Sequence, residues 1–135
     1  MAEQLIISAD LDGALWHHQR FMRELFLSMQ ARGHEVGILT SHKLLHEHAD
    51  RALLRERGFP EPSFYIGRPM SVRGATLEEL AQLKAQAIRE HGIDLPFDDG
   101  HGSDVFCARL RELLGKQAYR LVVVTPRGGE EEHFE

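Results

Sequence analysis

Short apolar runs alternate with longer amphipathic stretches along almost the whole chain, and this alternation constrains the fold more than any other feature. Leu5 to Ala9 reads as a first strand. Trp16 to Arg32 reads as a helix, with Phe21, Leu25, Phe26 and Met29 at helical spacing and Gly33 as its stop. Val36 to Leu39 is a second strand, and Ser41 is placed to cap a helix from His42 to Arg57. Ser63 to Ile66 is a short third strand. Thr76-Leu77-Glu78-Glu79 is a capping box opening a helix that ends near His91. Leu95 to Asp98 is a weak fourth strand, interrupted by Pro96. Ser103 to Leu114 is a last helix, and Tyr119 to Thr125 is the clearest strand. Strands separated by helices are joined by right-handed crossovers, which makes them parallel. The expected architecture is α/β: three layers, Rossmann-like, around a mostly parallel sheet of about five strands.

At 135 residues the chain has room for one such domain. We expect it over residues 1–127, followed by an acidic tail over 128–135. The net charge is −5, but Glu130, Glu131, Glu132 and Glu135 carry most of it, and the body is nearly neutral. A broad nucleic-acid-binding surface would show a basic excess and is not expected. No apolar run approaches the roughly 20 residues of a membrane helix, so no membrane association is expected. The first residues lack the basic and apolar regions of a signal peptide. The single cysteine, Cys107, cannot form an internal disulfide. Together these favour a cytoplasmic setting.

Ligands of an open parallel sheet bind beyond the carboxyl ends of the strands. Asp10, Leu11, Asp12 and Gly13 follow the first strand, and Thr40 and Ser41 follow the second. Asp98, Asp99 and Gly100 end the fourth, with Asp104 just beyond. Three strand ends thus deliver four or five carboxylates and two hydroxyls to one region. Converging carboxylates repel one another unless protons or a cation intervene. Oxygen ligands of this kind suit Mg²⁺, which also attracts phosphate. A carboxylate can itself be the nucleophile towards phosphorus.

Ala9-Asp10-Leu11-Asp12-Gly13-Ala14-Leu15 resembles the first motif of the haloacid dehalogenase-like superfamily, Asp-x-Asp-Gly-Thr-Leu. Val36-Gly37-Ile38-Leu39-Thr40-Ser41 is similar to its second, and Phe97-Asp98-Asp99-Gly100 to Asp104 is similar to its fourth. The resemblance covers about residues 4–125. It implies a Mg²⁺-dependent phosphohydrolase acting on a phosphomonoester through an aspartyl phosphate. Asp10 would be nucleophile and metal ligand. Asp12 would handle protons and lend its backbone carbonyl to the metal. Thr40, with Leu11 and Ser41 beside it, would hold the phosphoryl oxygens. Asp99 would be the second metal carboxylate, with Asp98 as its alternative, and Asp104 would coordinate directly or through water. Lys84 is the candidate for the third motif's lysine, with Lys43 and Arg73 in reserve. Ala14 departs from the family's Thr. No stretch is long enough for a folded insertion, so a minimal member without a cap domain is expected. Such an open site suits a large substrate, or a lid borrowed from another subunit in a homo-oligomer.

Other features read as structural. His42 and His46 share a face of the expected helix, with His48 nearby, but no partner ligands of a zinc site accompany them. His101 adjoins the acidic cluster without a defined role. Cys107, Trp16 and Phe21 are expected to pack in the core. Two rival readings are a catalytically silent binding module with the same fold, and a phospho-acceptor receiver domain. The second is disfavoured because the middle strand ends, Leu39 and Ile66, carry no Asp. Variants of the leading reading are phosphatases acting on a polynucleotide end or a phosphoprotein.

Overall fold

The computed structural model describes residues 3–74 and 76–124. Five strands form one parallel sheet: β1 (Ile6–Ala9), β2 (Glu35–Lys43), β3 (Tyr65–Arg68), β4 (Leu95–Asp98) and β5 (Val122–Val123). Their order is β3-β2-β1-β4-β5. Four helices connect them: α1 (Gln19–Ala31), α2 (Glu47–Glu56), α3 (Leu77–His91) and α4 (Asp104–Leu114). Met22 and Phe26 of α1 and Leu54 of α2 pack with Ile7, Ala9, Val36 and Ile38 on one face. Ala81, Ala85 and Ile88 of α3 pack with Phe106, Leu110 and Leu114 of α4 and with Leu39 on the other. The molecule is therefore a three-layer, Rossmann-like α/β fold, as the alternation of elements predicts.

This order fixes where a site can form. The chain leaves β1 towards α1 on one face and leaves β4 towards α4 on the opposite face. β1 and β4 are neighbours, so the crevice opens at their carboxyl ends.

Several boundaries depart from the sequence expectation. β2 runs on to Lys43 instead of stopping at Leu39, so Ser41 lies in a strand and caps no helix. Its pairing with β3 jumps from Leu39↔Ile66 to Lys43↔Arg68, which leaves Thr40, Ser41 and His42 bulging between two anchored pairs. Bulges of this kind re-aim side chains beside functional sites. A single 3-10 turn over Leu44–His46 then leads into α2, so His42 and His46 do not share a helix face. β3 lies two residues later than expected. β5 is confined to two residues because Gly115–Arg120 coils into 3-10 turns. Thr125 and the acidic tail lie outside the described residues. Phe21 is 53% exposed rather than packed; Met22 and Phe26 take the core face of α1.

Pro96 is accommodated inside β4. Phe97 accepts through its carbonyl from Asp10 on the β1 side, and Asp98 accepts from Val124 on the β5 side. Alternation points the nitrogen of Pro96 towards β5, ahead of the residues where that pairing begins. Among the described residues no helix is long and apolar enough to cross a membrane.

Candidate active site

β1 ends at Ala9, and the chain closes a wide turn over Leu11–Leu15 in which Leu15 N–H donates to the Asp10 carbonyl (3.0 Å). Asp12 is extended and Gly13 is left-handed, with φ 79°. A Cβ on Gly13 would stand 1.9 Å from Asp99 Oδ2, so only glycine lets the loops after β1 and β4 interlock. The turn separates the two aspartates, and their carboxylates face different surroundings. That of Asp10 enters the crevice, buried, and accepts from Leu11 N–H (3.0 Å). That of Asp12 lies at the surface against His42.

Asp98 ends β4, adjacent to β1. It is buried, accepts from Gly100 N–H through Oδ1 (2.8 Å), and faces the Lys84 ammonium through Oδ2 (2.5 Å). Lys84 Nζ also lies 3.4 Å from Asp10 Oδ2. Lys84 comes from the middle of α3, on the stripe Ala81, Lys84, Ala85, Ile88 that faces the sheet. The two alanines leave room for its stem, and its side chain is 1% exposed. Its Nζ stands 5.8 Å from the centre of the Phe106 ring. Asp99 is half-buried and accepts from His101 N–H (3.1 Å).

One oxygen from each of Asp10, Asp98 and Asp99 lies within 4.8 Å of the others. Three carboxyl groups thus converge on one ammonium, with Asp10, Asp98 and Lys84 buried. Burial is accordingly the main cause that pushes the Asp10 pKa up to about 8; Lys84 opposes the shift, and Asp98 and Asp99 add to it. Burial works against the charge of Lys84, but Asp10 and Asp98 outweigh it, so its pKa lies above the ordinary lysine value. The carboxylate set fits a divalent cation. It offers three hard oxygen ligands, and a cation between them would offset their mutual repulsion.

The rim above β2 is organised differently. His42 Nε2 lies 2.7 Å from Asp12 Oδ2, and its Nδ1 lies 3.0 Å from Asp50 Oδ2 on α2. Tyr65 of β3 donates its hydroxyl to the same Asp50 oxygen at 2.5 Å. Both ring nitrogens of His42 thus face a carboxyl oxygen, an arrangement that favours the imidazolium form. Its hydrogen bond to Asp12 is the largest cause raising its pKa to about 9, and burial opposes this. The same bond lowers the Asp12 pKa from its ordinary value. Thr40 is buried and its hydroxyl oxygen accepts from His42 N–H (3.1 Å). Ser41 Oγ lies 3.2 Å from His101 Nε2, which joins the bulge of β2 to the acidic loop after β4.

The crevice thus brings together Asp10, Asp98, Asp99 and Lys84, with Leu11, Thr40 and Ser41 beside them. Both members of the Asp98–Asp99 pair belong to the cluster. Asp104 stands apart: it is the exposed first residue of α4, behind the N-cap Ser103, and is not among the clustered carboxylates. Lys43 and Arg73 are exposed and form no contact with the cluster. Asp50 and Tyr65 are additions that sequence reasoning missed. The available signal was Asp50 itself, one turn before the buried Leu54 on an otherwise charged helix.

Compared with family models and with curated proteins, the chain matches none.

Proposed function

We propose that the protein is a Mg²⁺-dependent phosphohydrolase acting on a phosphomonoester through an aspartyl phosphate on Asp10. The observation that carries this reading is a buried Asp10 at the end of the central strand, in contact with Lys84 and clustered with Asp98 and Asp99. The resemblance of its motifs to the haloacid dehalogenase-like superfamily supports the same reading.

Asp10, Asp98 and Asp99 would hold the cation through their carboxylates and Asp12 through its backbone carbonyl. Bound there, Mg²⁺ supplies countercharge to the phosphoryl oxygens. A carboxylate oxygen of Asp10 attacks phosphorus, a new O–P bond forms, and the ester O–P bond breaks. Asp12 passes to the departing oxygen the proton that the His42 imidazolium holds against its carboxylate. It then takes a proton from the water that hydrolyses the aspartyl phosphate, which releases phosphate and restores both residues. The Thr40 hydroxyl, with its oxygen already accepting from His42 N–H, has its own proton to donate to a phosphoryl oxygen. Lys84 keeps Asp10 and Asp98 from repelling each other.

Hydrolysis of p-nitrophenyl phosphate with and without Mg²⁺, in wild type and Asp10→Asn, tests this. Metal-dependent release that disappears in the variant is the expected result. Release that persists in Asp10→Asn overturns the nucleophile. Absence of hydrolysis by folded wild type, together with failure to trap beryllium fluoride at Asp10, overturns the enzyme reading in favour of a binding module.

A further inference from the structure

Against His42, whose ring also contacts Asp12, lies an open recess of about 400 Å³ lined by Ser41, His42, Lys43, His46, Asp50 and Arg68. Two of the six, Lys43 and Arg68, are cationic, in a chain whose net charge is −5. Asp50, the one acid, is already occupied by His42 and Tyr65. The bulge of β2 sets Lys43 directly opposite Arg68 across the two strands. Like charges placed face to face repel, so the sheet does not gain stability from this pairing. Neither residue forms an ion pair among the described residues. Arg68 is nonetheless held rigidly. Its Nε donates to the Ser41 carbonyl (3.1 Å), and its Nη1 donates to those of Val72 (2.9 Å) and Arg73 (2.7 Å). Backbone carbonyls orient a guanidinium without cancelling its charge. The recess is therefore a fixed positive site, and His42 both lines it and touches Asp12.

We propose that this recess is a subsite for a second phosphate group of the substrate, next to the phosphomonoester that is cleaved. The proposal rests on the phosphohydrolase reading for the first phosphate and adds a requirement that reading lacks. Two chemistries meet it: a second phosphomonoester on a small molecule, or the phosphodiester beside a phosphorylated polynucleotide end. Both put an anion between Lys43 and Arg68 and relieve their repulsion.

Three probes separate these cases: propyl phosphate, 1,3-propanediol bisphosphate and a dinucleotide ending in a phosphomonoester. The ratio of kcat/KM for each two-phosphate probe to that for propyl phosphate is the quantity to follow. For at least one of them it should be about tenfold or more in wild type, fall about tenfold in Lys43→Ala, and fall further in Lys43→Glu. The probe with the larger Lys43-dependent ratio names the source of the second phosphate. A ratio near one in wild type, or one unchanged in both variants, overturns the subsite. If no probe is hydrolysed, the phosphohydrolase reading is decided separately, by beryllium fluoride trapping at Asp10. The subsite is then judged by calorimetric titration of 1,3-propanediol bisphosphate. Weaker binding to Lys43→Ala than to wild type upholds it, and equal or absent binding overturns it.

Discussion

Asp10 and Asp12 are two residues apart in the chain and occupy opposite electrostatic regimes. The Asp10 side chain is 5% exposed and shares its crevice with two other carboxylates and a buried ammonium. That of Asp12 is 73% exposed and faces an imidazolium backed by Asp50. Burial raises one pKa, and a hydrogen bond lowers the other. Paired carboxylates whose environments push their proton affinities apart are the usual basis for dividing labour between two acids. Here the division comes from one turn around Gly13, which sends the first carboxylate inwards and the second to the rim. A nucleophile benefits from rigid, dry surroundings. A group that exchanges protons with water and with a leaving group benefits from access.

The contrast can be broken from either side. On the buried side, Asp10→Asn should lower turnover by at least about 10³-fold. The same variant should raise the thermal midpoint of the metal-free protein at pH 7. An acid whose pKa is raised from 3.8 to about 8 on folding destabilises the fold increasingly as pH climbs between those values. Lys84→Met should cost about 3–5 kcal/mol at pH 8 without metal, because it strips the cation from buried carboxylates. Denaturant unfolding should show this cost shrinking as pH falls and Asp10 takes up a proton. On the exposed side, His42→Asn frees the Asp12 carboxylate. The kcat/KM for an alkyl phosphate should fall by about 10–100-fold, with a smaller loss for p-nitrophenyl phosphate, whose leaving group departs without a proton. Metal binding sharpens the comparison further. Below pH 8 it should release about one proton, the one held by Asp10, and above pH 9 almost none, as read by calorimetry in buffers of different ionisation enthalpy. The smallest effect concerns the Asp12–His42 link. The His42 pKa rises from 6.5 to about 9, so the link's contribution is full below pH 6.5 and is lost as pH rises through 9. His42→Asn should flatten that part of the pH–stability curve only slightly, since the pair is exposed to solvent.

The first and fourth strands and the acids after them were legible in the sequence, because Asp10, Asp12, Gly13, Asp98 and Asp99 are local signals at strand ends. Lys84 was legible in principle: a lysine in the stripe Ala81, Lys84, Ala85, Ile88 points at the sheet. The resemblance singled it out as the candidate lysine, and this stripe is the physical reason it reaches Asp10 and Asp98. The continuation of β2 was not legible. Thr40, Ser41, His42 and Lys43 carry helix-start chemistry, and only pairing with β3 holds them extended. For the same reason His42 read as part of a helix face with His46, while its actual partners are Asp12 in the turn after β1 and Asp50 of α2. β5 failed in the opposite sense. Its apolar run is strongly strand-like, but the turns over Gly115–Arg120 consume the residues before Leu121. The strand order that places β1 beside β4 comes from packing across the whole chain, and no single segment encodes it.

The bulge in β2 also has a meaning for how such a protein can change. Leu39↔Ile66 and Lys43↔Arg68 clamp both ends of a three-residue excursion. The residues inside it do not set the register of the sheet. Random libraries at Ser41 and His42 would therefore vary what borders the crevice while the clamped frame keeps its alignment. New substrate preferences can arise in this stretch without the fold having to be reinvented around them.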